Sequence, residues 1–253
     1  MSLATETFVL AERNLRRFAA SPRAVIGTLL FPLLLMLIML AAFSEMVTDV
    51  SGGAYIDRLA PLIVLYAAAF GAVNTGLGLF NDLRSGLIDR IRSLPVHRGA
   101  ALLGRVAADL VRIVAVAALI TLVAAAFGFR FRGGLAGVVG FGLIALVVGW
   151  MFLWLAVLIA LRARTADGVS AALNGPLTLL LFLSTGFAPV EAFPGALQPI
   201  VRANPLSVAS AAMTGLAGGG PVAGPVLWTL LWAGVVTVVA APLAIALFGR
   251  RGR

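Results

Sequence analysis

Groups able to do chemistry are scarce in this sequence. Of 253 residues one is histidine (His97), none is cysteine and ten are Asp or Glu. All 19 basic residues are arginine, because lysine is absent. Without cysteine there is no disulfide and no thiolate metal site, and one histidine cannot build a multi-His metal centre. A phosphate-binding loop of the G-x-x-x-x-G-K-[ST] type needs its lysine, so the chain does not hydrolyse ATP by that route. The carboxylates are too few for a Ser-His-Asp set or a paired-carboxylate site. The expectation is therefore a protein with no catalytic residue, no metal and no cofactor of its own. Asp109 and Arg112 lie three apart, where they pair on one helix face near a membrane boundary. A locally satisfied ion pair is the expected role, ahead of a proton relay.

The longest charged interruption between apolar runs is the stretch Ser85 to Ala100. Leu87, Ile91 and Leu94 recur at spacings of four and three with Ile88 beside them, while Arg84, Asp89, Arg90 and Arg92 cover other sides. That pattern is an amphipathic helix over residues 85–94. It stops at Leu94-Pro95, since proline disfavours helix in the residue before it. Two roles fit: a handle for a partner protein, or a helix lying on lipid headgroups.

The elements around this stretch are hydrocarbon. The chain is 61% hydrophobic and 11% charged, whereas a soluble domain carries about 25% charged residues. Mean hydropathy is +1.07, and several continuous apolar runs reach the roughly 20 residues that cross a bilayer. Continuous runs, as opposed to alternating ones, argue against a β-barrel. The expected fold is an all-α polytopic membrane protein with six spans at residues 24–43, 59–80, 106–127, 135–161, 169–187 and 222–248. Residues 44–58 read as a loop of acidic balance. Residues 188–220 are amphipathic and broken by Pro and Gly, which predicts short or re-entrant helices before the last span. Residues 5–22 read as an interfacial amphipathic helix, with Phe8, Leu15 and Phe18 on one face and Arg16 among the charges elsewhere. No cleavable leader is expected at this end.

Arginine placement tests the span count. With six spans, fifteen arginines fall on the side of the two termini and four (Arg58, Arg130, Arg132, Arg202) on the other. The positive-inside rule then puts both termini and the charged stretch in the cytoplasm. The net charge of +9 is topogenic on this reading, and no nucleic-acid partner is expected.

Three segments resemble the ABC-2 type transporter permeases, closest to their daunorubicin-resistance branch. They are Ala11–Phe18 with Ser21-Pro-Arg and the Phe31-Pro-Leu-Leu-Leu run; Gly86–Val96 with Leu103–Leu110; and Ser184–Gln198 with Asn204-Pro-Leu. The resemblance implies six membrane helices, an N-terminal connecting helix, a cytoplasmic coupling helix at residues 85–94 and short extracellular helices before the last span. It implies two permeases, as a homodimer, working with two separately encoded ATPase subunits that bind ATP and Mg. The cargo it implies is a hydrophobic or amphipathic drug, lipid or glycolipid, moved across the cytoplasmic membrane of a bacterium. Many relatives carry acidic residues just before the coupling helix, where this chain has Asp82 and then Arg84.

On that basis the residues expected to meet the ATPase are Arg84, Leu87, Ile88, Arg90, Ile91, Leu94 and Pro95. Polarity and position mark Phe70, Asn74, Thr75, Asn174, Ser184 and Thr185 as a substrate path, with helix–helix packing the alternative for each. Two other functions stay open: an ion-gradient-driven transporter or channel, which needs ionisable relays inside the membrane, and a non-transporting assembly or immunity subunit.

Overall fold

A computed structural model describes residues 12, 22–51, 54–86 and 100–250 of the protein. Among them every regular element is helical. In chain order they are α1 (Pro22–Ser51), α2 (Ile56–Arg84), α3 (Ala100–Ala126), α4 (Gly134–Arg162), α5 (Ala166–Phe182), a single 3-10 turn (Val190–Ala192), α6 (Gln198–Ala203), α7 (Pro205–Gly218) and α8 (Ala223–Arg250). Five of these, α1, α2, α3, α4 and α8, are long and apolar enough to cross a membrane. The protein is thus a multi-pass, all-helical membrane protein.

The bundle is arranged around α2. Of its most apolar window 78% is buried, against 17% for α1 and α8. The outer helices turn large side chains outward instead, among them Phe31, Ile38, Leu227 and Val238. For a helix facing lipid this exposure is favourable, because acyl chains are as apolar as the side chains. Small residues let α2 approach its neighbours. A Cβ at Gly76 would sit 3.1 Å from the Ala156 carbonyl of α4 and 3.4 Å from Leu173 of α5. Gly149 of α4 packs in the same way against Ile113 of α3 and Ala68 of α2.

Boundaries differ from the expected spans where polar residues interrupt apolar runs. Residues 44–51 continue α1 as helix despite Glu45 and Asp49; only the residues beyond belong to the connection to α2. Pro22 opens α1, where its missing N–H costs nothing. The fifth apolar segment is a 17-residue helix that ends at Phe182, before residues 183–187. Asn174-Gly175-Pro176 does not break it, and Thr165 caps it by accepting the Gly168 N–H at 3.1 Å. The interfacial helix expected at 5–22, with Phe8, Leu15, Arg16 and Phe18, lies outside the described residues apart from Glu12. The coupling stretch from Leu87 to Gly99 lies outside them too.

The segment after α5 folds as short helices packed on one end of the bundle. Asn204 organises it. Its Oδ1 accepts the Leu206 N–H to cap α7, and its Nδ2 donates to the Leu180 and Leu183 carbonyls, at 2.7 Å each, that α5 leaves unpaired. The Tyr55 hydroxyl donates to the Phe187 carbonyl at 3.0 Å, and Thr214 donates to the Asp57 carbonyl. At the far end of α7 the N–H groups of Arg132 and Gly133 donate to the Ala217 carbonyl. These contacts gather the starts of α2 and α4 and the end of α5 at one end. The opposite end carries Arg84, whose guanidinium donates to the Arg164 carbonyl at 3.2 Å.

Candidate functional site

Charged side chains within the long helices meet between α2 and α3. Along α2, Gly71, Thr75, Gly78 and Asp82 follow each other at intervals of four, three and four, which keeps them on one helix face. Along α3, Arg105, Asp109 and Arg112 do the same. The two rows meet. Arg112 pairs with Asp109 at 2.7 Å and donates to the Gly71 carbonyl at 2.8 Å and to the Thr75 hydroxyl at 3.1 Å. The Thr75 hydroxyl donates to the second Asp109 oxygen at 2.6 Å. One turn nearer the charged loop, Arg105 donates to the Thr75 carbonyl at 3.2 Å and forms an ion pair with Asp82.

The two glycines make this seam possible. A Cβ at Gly71 would lie 3.1 Å from an Arg112 nitrogen, and one at Gly78 would lie 3.0 Å from an Arg105 nitrogen. Asp109 is 6% exposed, so its charge has no water to fall back on. In hydrocarbon an isolated Asp or Arg costs about 2.5–3.5 kcal/mol at a helix centre. Here two carboxylates answer two guanidiniums, and Arg112 also meets a backbone carbonyl. Asp109 and Arg112 do pair as their spacing suggests, but nine residues inside α3, bonded across to α2 and not merely to each other.

The remaining residues named from the sequence are distributed differently. Phe70 stacks with Tyr66 and Phe31, at centroid distances of 5.9 and 5.7 Å, in the α1–α2 contact. Asn74 is exposed on α2. Thr75 is in the seam. Asn174 is partly exposed, and its Oδ1 has no hydrogen-bond partner. Ser184 is fully buried and accepts the Gly186 N–H. Thr185 is tied to Ser207 of α7 through its N–H at 3.0 Å and its hydroxyl at 3.3 Å. Thr185 therefore fastens α7 to the end of α5, and Ser184 holds the local turn.

Arg84 is exposed, with its guanidinium 5.5 Å from the Phe80 ring. Together with Phe80, Leu83, Ala163 and Arg164 it lines a cleft of about 330 Å³. The other residues named for the ATPase contact, Leu87, Ile88, Arg90, Ile91, Leu94 and Pro95, lie outside the described residues. The sequence reading missed Asp82, Arg105, Gly71 and Gly78 as members of one site. The available signal was the shared spacing of four and three on both helices.

Four long apolar helices packed about a central fifth form a multi-pass membrane bundle. Residues 5–216 match the ABC-2 type transporter family, and the chain belongs to that family. It is 32% identical over 244 residues to the probable doxorubicin resistance ABC transporter permease protein DrrC of Mycobacterium tuberculosis, covering 95% of this chain and 87% of that protein. It is 33% identical over 240 residues to the daunorubicin resistance ABC transporter permease protein DrrB1 of Streptomyces coeruleorubidus, covering 93% and 83%. With the doxorubicin resistance ABC transporter permease protein DrrB of M. tuberculosis it shares 29% over 199 residues, or 76% and 69%. The protein is a membrane permease of the ABC-2 type.

Proposed function

We propose that this permease is the membrane half of a bacterial drug exporter and that a separate ABC ATPase powers it. The observation that carries the reading is the family match over residues 5–216, together with relatives named for doxorubicin and daunorubicin resistance along nearly the full chain. The energy source must be a partner, because the sequence holds no lysine for a nucleotide loop. The cargo is hydrophobic or amphipathic, in keeping with the few charges that the apolar helices carry.

In this reading α5 is the sixth crossing. Its 17 residues span about 26 Å at 1.5 Å per residue, close to the roughly 30 Å hydrocarbon thickness. It starts beside Arg84 at one end of the bundle and ends beside Asn204 at the other. Six crossings place both termini and the charged loop on the arginine-rich, cytoplasmic side of the plasma membrane.

The ATPase engages the loop through Leu87, Ile88, Arg90, Ile91, Leu94 and Pro95, with Arg84 at its border. Two permeases form the complex with two ATPases, which bind ATP and Mg. The path runs along the seam between permeases, past Phe70, Asn74 and Asn174. A homodimer is the proposed state. M. tuberculosis carries two such relatives, so a mixed pair is the other outcome of a cross-linking test.

The test is co-purification with the ATPase followed by turnover and transport in proteoliposomes. Leu87→Asp and Ile91→Asp are expected to keep the protein in the membrane and to lower transport at least tenfold. Unchanged transport in both variants would count against the loop as the point of attachment.

A further inference from the structure

The contacts that α2 makes with its neighbours fall into two chemical kinds. Toward α1 they are aromatic and apolar, the Phe31–Tyr66–Phe70 stack. Toward α5 they are mostly small and apolar, Gly76 against Leu173, with one uncharged hydrogen bond between Tyr66 and Thr178. Contacts of this kind slide at little cost, since lipid or another apolar surface replaces what is lost. Toward α3 they are ionic and directional. Separating α2 from α3, or slipping one by a turn, would part Asp82 from Arg105 and strip the Asp109–Arg112 pair of the Thr75 hydroxyl and the Gly71 carbonyl. Buried charged pairs set register for this reason. The chain between these two helices is residues 85–99, the charged loop.

We propose that the Asp82–Arg105 and Asp109–Arg112–Thr75 seam locks α2 and α3 into one rigid lever, so that displacement of the charged loop moves both helices together against α1 and α5. Asp82 and Arg105 are positioning residues that set the angle at which the loop is held. Asp109, Arg112 and Thr75 carry that register about 10 Å further along the pair, seven residues at 1.5 Å each. Gly71 and Gly78 are required as the spaces into which the guanidiniums fit. The outer end of the lever is fastened as well, through Tyr55 to Phe187 and Asp57 to Thr214. A stroke received at one face is therefore delivered to the short helices at the other.

This inference rests on the proposed ATPase-driven function, and the test separates the two. The complete permease is reconstituted with its ATPase in vesicles of phosphatidylethanolamine and phosphatidylglycerol. Doxorubicin is the probe, followed by its fluorescence, and phosphate release is measured in the same vesicles. Asp82→Asn and Arg105→Gln are expected to leave ATP turnover within about twofold of the wild type and to lower doxorubicin moved per ATP at least tenfold. The exchange of the pair, Asp82→Arg with Arg105→Asp, is expected to restore that ratio to within about threefold. Gly78→Val keeps all four charges and pushes the Arg105 guanidinium aside, so it should show the same loss of ratio if the single charge variants fail to reach the membrane.

Wild-type ratios in Asp82→Asn, Arg105→Gln and Gly78→Val would overturn the lever. So would ATP turnover and transport falling in equal proportion with no recovery in the exchanged pair, which is what a purely structural seam gives. Uphill doxorubicin movement by wild-type permease without any ATPase would instead overturn the function on which the lever rests.

Discussion

Asp109 shows most directly how this membrane bundle handles charge. It keeps a carboxylate almost wholly out of water by giving it two partners, the Arg112 guanidinium and the Thr75 hydroxyl. Removing one member of such a pair leaves the other charged and buried, at a cost of about 3–5 kcal/mol. Asp109→Leu and Arg112→Leu are each expected to lower the thermal unfolding midpoint in detergent by several degrees. The double variant should recover much of that loss, because no charge remains. Equal or additive losses in the double variant would contradict the pairing. Tyr55 gives a second test at this scale. Burial pushes its phenol up to about 12 from the ordinary 10.0. The folded state then holds the proton more tightly than the unfolded chain does. The associated stability is complete below pH 10 and is lost as pH rises through 12. Tyr55→Phe should remove this part of the alkaline loss, and should cost about 1 kcal/mol at neutral pH for the bond to the Phe187 carbonyl.

Glycine decides the fit between elements. Gly133, just before α4, and Gly137 of α4 lie under the Leu216 carbonyl of α7, and a Cβ at either would land on that oxygen. Gly137→Ala is expected to lift α7 off α4 and reduce the folded yield severalfold, read by size-exclusion chromatography. Gly142, whose Cβ position is open, should accept alanine without loss and with the small gain that alanine brings to a helix. Hydropathy alone was enough to locate α2, α3, α4 and α8 within a few residues, because continuous hydrocarbon has few alternatives to a spanning helix. The end of α1 was not legible. Glu45 and Asp49 signal a loop by composition, yet intrahelical hydrogen bonds carry the helix through Ser51. The end of α5 was placed five residues late because Leu183 and Phe187 prolong the apolar run past Phe182, whereas the backbone there is held in turns by Asn204 and Ser184. Sequence spacing also identified the Asp109–Arg112 pair, but its continuation through Thr75 to Arg105 and Asp82 depends on how two helices pack, which a single helix's periodicity does not contain.

At the scale of the whole molecule, the distribution of exposure and charge assigns each region a part. α1 and α8 offer apolar surface outward, α2 fills the centre, and the short helices after α5 close one end. The end of α2 and the start of α3, which flank the charged stretch in sequence, lie at the other. The sequence holds no lysine for a nucleotide-binding loop, and in the proposed function the work of transport enters through contact with another protein. The account therefore stands on energy supply. The most direct measurement is doxorubicin accumulation in sealed vesicles holding the permease, with and without the ATPase and with and without a protonophore. Accumulation that requires both the ATPase and ATP, and that survives the protonophore, is the result expected. Accumulation by the permease alone that collapses with the proton gradient would contradict it.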